Sequence, residues 1–86
     1  MSFDWDKFRA LLDESYQWPD YYEFKFIVKD ADKQVVLDIL AGYQIVEHPS
    51  KKGTYVSISA RKLMKSSDEI VDIYVKMAPL KGVMSL

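Results

Sequence analysis

Between Pro49 and Leu63 the chain turns once and then alternates. Gly53, behind Ser50-Lys51-Lys52, closes a turn whose tightness calls for the positive φ that glycine adopts without strain. After it, Val56, Ile58 and Ala60 alternate with Tyr55, Ser57, Ser59 and Arg61. A period of two with one apolar side predicts a strand packed on one face only. That apolar face has to be covered, and the chain carries helical patterns on both sides of this strand.

The leading pattern runs from Phe3 to Tyr16. Trp5, Phe8, Leu11 and Leu12 recur at helical spacing, with Asp6, Lys7, Arg9, Asp13 and Glu14 opposite. Ser2 or Asp4 supplies a cap, and Trp18-Pro19 ends the helix, because the residue before a proline is pushed out of the α region. Tyr21 to Lys29 reads as a strand, with Tyr22, Phe24, Phe26 and Val28 on one face and Glu23, Lys25, Ile27 and Lys29 on the other. A second helix spans Asp30 to Ala41, with Val35, Val36, Ile39 and Leu40 as its inward stripe and Gly42 as its stop. A short strand covers Tyr43 to Glu47, and the loop His48 to Gly53 leads into the alternating strand. Ser66 and Glu69 have capping-box spacing before a third helix, whose stripe is Ile70, Ile73, Tyr74 and Met77. Pro79 and Gly82 stop it, and Val83 to Leu86 form a last strand.

Setting the leading helix aside, the order is strand, helix, strand, strand, helix, strand. Right-handed crossovers place both helices on one face of a four-stranded sheet, which is the α+β ferredoxin-like βαββαβ plait. The first and third strands are then central, in keeping with their clean alternation. Residues 1–17 read as an N-terminal helical extension and residues 18–86 as the plait.

Composition removes several chemistries. The chain has 86 residues, no cysteine, one histidine and a net charge of −1. Disulfides and thiolate metal sites are excluded, no cofactor is implied, and the charge balance does not recruit nucleic acid or an anionic membrane. No apolar run reaches the ~18 residues of a membrane span. The first residues lack the pattern of a signal peptide, so a cytoplasmic location is expected.

Trp18-Pro19, Phe24-Lys25, Ser50-Lys51-Lys52-Gly53 with Tyr55 and Ser57, Ile73-Tyr74 and Val83 to Leu86, in that order, resemble the YbeD-like family of small bacterial proteins. Members of that family are often labelled uncharacterised or lipoate-regulatory. The resemblance covers Trp18 to Leu86 and leaves the leading helix outside. It implies an ACT-like plait with a regulatory or binding role, and it brings no catalytic residues.

Few polar groups stand where they could do chemistry. Glu47 and His48 are consecutive on an extended chain, so their side chains diverge and make a poor acid–base or metal pair. Ser57 and Ser59 lack a base unless His48 folds back across the hairpin. Lys51, Lys52 and Gly53 form a basic turn able to hold an anion, without the glycine-rich loop and helix of a phosphate-binding motif. The best candidate surface is the polar face of the sheet, where Lys25, Tyr55, Ser57, Ser59 and Arg61 project from two adjacent strands. The expectation is a non-catalytic interaction domain for a protein partner or small effector, with a homodimer favoured by its sheet edges. Two alternatives stand behind it: a single-stranded RNA-binding module on the same face, lacking central stacking aromatics, and a small enzyme built on Lys25, Tyr55 and Arg61, lacking a base.

Overall fold

The structure is a computed structural model that describes residues 3–86. Its elements are α1 (Trp5–Ser15), β1 (Asp20–Lys29), a 3-10 turn (Asp30–Asp32), α2 (Lys33–Ile39), β2 (Gln44–Pro49), β3 (Tyr55–Met64), α3 (Ser67–Met77) and β4 (Met84–Ser85). The sheet is antiparallel in the order β2-β3-β1-β4, with the two longest strands in the middle. This is the ferredoxin-like plait.

Register decides which side chains are core. Phe24 pairs with Ala60, Phe26 with Ile58 and Val28 with Val56, and all six are buried on the helix side. Val36 and Leu40 of α2, and Ile70, Ile73 and Met77 of α3, close over them. Phe24 and Phe26 stack at 5.9 Å between ring centres, and Tyr74 meets both edge-on. The β2–β3 turn has Gly53 at φ 73°, its N–H donating to Ser50 O at 2.9 Å. Ser66 caps α3 by accepting from Glu69 N, while Glu69 reaches back to the Lys65 N–H.

The structure departs from the sequence pattern in α2, β2 and β4. The helix after β1 starts as a 3-10 turn and leaves only seven residues of α-helix. So short a helix buries one line, Val36 and Leu40, with Leu37 and Ile39 packed at its sides. Val35, expected inside, is 44% exposed. Strand β2 takes in His48 and Pro49, which tolerates an edge position because its missing N–H is not needed there. Strand β4 is two residues long instead of four, with Leu86 N adding one further bond to Lys25 O.

Helix α1 starts at Trp5, with Asp4 as its cap: Asp4 Oδ1 accepts from Lys7 N at 3.0 Å. The other cap considered, Ser2, lies outside the described residues. α1 packs on the helix side of the sheet beside α3. Leu12 enters the common core, the Phe8 ring meets Tyr74 at 5.6 Å, and Arg9 Nε lies 2.8 Å from Asp68 Oδ1. Contact along this one line, Phe8 and Leu12, leaves Leu11 outside at 52% exposure, against expectation. Trp18 Nε1 donates to Asp13 Oδ1, tying the end of α1 to the connection into β1.

Candidate functional site

Because all three helices lie on one side, the other side of the sheet is uncovered. The strands deliver their side chains to it in rows. Gln44, Arg61 and Glu23 form one row, Val46, Ser59 and Lys25 the next, and His48, Ser57, Ile27 and Met84 the third. Lys29 and Tyr55 lie beyond them at one end, Tyr21 and Leu63 at the other.

The five residues expected on this face are therefore brought together. Ser57 and Ser59 are half-buried at its centre, and Lys25, Tyr55 and Arg61 are exposed. Lys25 Nζ stands 3.8 Å from Glu23 Oε1, and the Arg61 guanidinium lies 4.0 Å above the Tyr21 ring. The structure adds Tyr21, Val46, Leu63 and Met84, which with Tyr55 form an exposed apolar rim around the polar centre. Val46 was readable only once its pairing with Ser59 settled which way β2 faces. Two shallow depressions interrupt the face. One of about 310 Å³ is lined by Glu23, Gln44, Ile45, Val46, Ser59 and Arg61. The other, of about 330 Å³, lies between Ile27, Lys29, Tyr55, Gly82 and Met84.

His48 also belongs to this face. It is the direct cross-strand partner of Ser57, so no folding back of the hairpin is required. Glu47 points to the opposite side and accepts from Lys33 Nζ at 2.9 Å. That hydrogen bond, with the nearby carboxylate of Asp30, holds the Lys33 ammonium above its ordinary pKa. His48 thus gains a serine neighbour and no carboxylate from Glu47. The basic turn is separate: Lys51 and Lys52 are exposed at the hairpin tip, and the Gly53 and Tyr55 N–H groups are both spent on Ser50. Those two donors are not free to cradle an anion. Among the described residues no group of three or more histidines or carboxylates is arranged to hold a metal, and no helix is long and apolar enough to cross a membrane.

A second polar feature lies on the helix side. The hydroxyls of Tyr22 and Tyr74 are 2.9 Å apart, and burial together with this bond pushes the Tyr22 phenol well above its ordinary pKa. Nothing in the sequence joins these residues, which are 52 positions apart.

The family described as "Protein of unknown function (DUF493)" matches residues 13–86. The chain belongs to this family. It is the YbeD-like family of small bacterial proteins, and the match begins inside α1, earlier than the Trp18 at which the motif resemblance starts. A UPF0250 protein of Shewanella halifaxensis (strain HAW-EB4) is 30% identical over 80 residues, covering 84% of this chain and 90% of that relative. No solved structure matches the DUF493 chain at a significant level.

Proposed function

We propose that this DUF493 chain is a non-catalytic, ACT-like interaction domain that engages a protein partner or small effector through its open sheet face. The observation that carries this reading is the uncovered face itself, with half-buried serines and exposed charges at the centre and a rim of exposed Tyr21, Val46, Tyr55, Leu63 and Met84. Exposed apolar side chains, aromatic and methionine among them, on a surface that the protein's own helices leave bare mark an interaction site. A catalytic role has less support, because Ser57 and His48 lack a third group to orient the imidazole.

RNA binding on this face has weaker footing. Tyr21 and Tyr55 stand at opposite ends of the paired strands, eight register steps apart. At ~3.3 Å per residue they are too distant to stack on neighbouring bases.

Self-association belongs to the same reading. β2 and the Glu23 end of β1 are open sheet edges, and pairing between copies is a common way to close them. We infer a homodimer, which a monomer mass by light scattering at high micromolar concentration would remove.

The test is photocrosslinking in the native cell, with benzoylphenylalanine at Ser59 and, as control, at the exposed Val75 on α3. A discrete adduct from Ser59 that Arg61→Glu abolishes is the expected result. No adduct, or the same adduct from both positions, would sink the proposal. Salt-dependent capture of RNA from Ser59 would replace it with the nucleic-acid reading.

A further inference from the structure

On the other side of the sheet, the short β4 leaves a gap beside β1 that α1 fills only in part. The result is a cavity of about 390 Å³, inside the ~300–1,000 Å³ range of small-molecule sites. Its walls are rings: Phe3, Trp5 and Phe8 from the start of the chain, Tyr22 from β1 and Tyr74 from α3. Ser85 and Leu86 complete the lining, so the cavity contains no charged side chain. The rings already hold one another in tilted and edge-on geometry, with Phe3 to Trp5 at 4.6 Å, Trp5 to Phe8 at 6.3 Å and Phe8 to Tyr74 at 5.6 Å. One more ring can join such an array by the same quadrupole preferences.

The two tyrosines add direction. Their hydroxyls have two hydrogens between them, and the bond joining them uses one. Among the described residues, no acceptor takes the second. A half-buried donor without an acceptor favours a ligand that supplies one. Charge adds exclusion. The adjoining recess shares Phe3 and Trp5 and is lined by Asp4, Asp6 and Arg9. Arg9 is already held between Asp6 and Asp68, each at 2.8 Å, so the mouth carries more acid than base. A ligand with a carboxylate is repelled there.

We propose that this cavity binds a small uncharged aromatic molecule carrying one hydrogen-bond acceptor. The site is independent of the open sheet face: the cavity lies among the helices, and either site can fail without the other.

Three matched probes test it on the full chain by amide and indole NMR: acetophenone (ring and acceptor), ethylbenzene (ring alone) and benzoate (ring and charge). Acetophenone should give saturable shifts confined to Trp5, Ser85, Leu86 and their neighbours. It should bind roughly two- to tenfold tighter than ethylbenzene, the worth of one hydrogen bond, and benzoate should not bind. The Tyr22→Phe/Tyr74→Phe double variant keeps both rings, and in it the preference for acetophenone over ethylbenzene should vanish. Ser85→Trp, which changes an exposed position at the cavity wall, should abolish binding of both. No saturable shift with any probe, equal binding of benzoate, or shifts mapping to Ser57 and Ser59 would overturn the proposal. So would movement of the same signals on simple dilution, which would mean that a second copy of the chain occupies the cavity.

Discussion

Arg61 lies over Tyr21, with its guanidinium carbon 4.0 Å from the ring centre. The two belong to adjacent strands and are diagonal neighbours, since Arg61 pairs with Glu23 and Tyr21 with Leu63. The contact holds the largest cation of the open face at one end of the sheet. Both side chains are exposed, so a cation–π interaction of about 0.5–1 kcal/mol is expected. A double-mutant cycle of Arg61→Ala and Tyr21→Ala in urea should return a coupling of that size. A coupling indistinguishable from zero would mean that Arg61 swings free in solution.

Phe26→Ala should cost about 3–5 kcal/mol, because its ring is fully buried beneath the helices and its loss leaves a cavity. Val35→Ala, by contrast, should stay within about 0.5 kcal/mol, as expected for an exposed position. Denaturant midpoints of the two variants check this directly. Equal effects would contradict the placement of α2.

The α2 face illustrates what a sequence pattern conceals. Val35 and Val36 are equally apolar, but neighbours on a helix lie about 100° apart, and the seven-residue α2 turns only Val36 onto the sheet. The central strands were readable because each alternates strictly and the two agree in register. The polar face follows from the same parity, which is why Lys25, Ser57, Ser59 and Arg61 could be grouped from the sequence alone. Val46 and His48 could not, since β2 is apolar on neither side consistently. The position of α1 and the aromatic cavity are tertiary results without a local signature.

Gly53→Val should destabilise the domain by about 1 kcal/mol or more. At φ 73° a β-branched side chain is strained, although a Cβ there would meet nothing within 4 Å. The effect is therefore one of backbone conformation alone. Thermal unfolding of this variant alongside Gly53→Asn separates the two causes, since asparagine tolerates the left-handed region and should recover much of the loss.

Alkaline stability should report on the tyrosine pair. The folded-state pKa of Tyr22 is raised, with burial as the largest cause, followed by the bond to Tyr74. Below the unfolded value of about 10 both states keep the proton, and stability is independent of this group. Above it the unfolded chain loses the proton while the folded one retains it, so stability falls as pH rises. Tyr22→Phe should flatten that decline between about pH 10 and 11 in denaturant titrations. An unchanged slope would place the Tyr22 phenol in water.

The brevity of β4 also splits the behaviour of a single strand. Around Phe26 and Ile27, β1 is bonded on both sides, and one more bond joins Leu86 to Lys25. From Glu23 back towards Asp20 it is bonded only to β3. The strand is thus sheet interior from Lys25 to Ile27 and sheet margin from Asp20 to Glu23. Solvent deuterium should enter the strand from the Asp20 end long before it reaches Phe26, and the slowest-exchanging amides should mark the part of the chain that opens only with global unfolding.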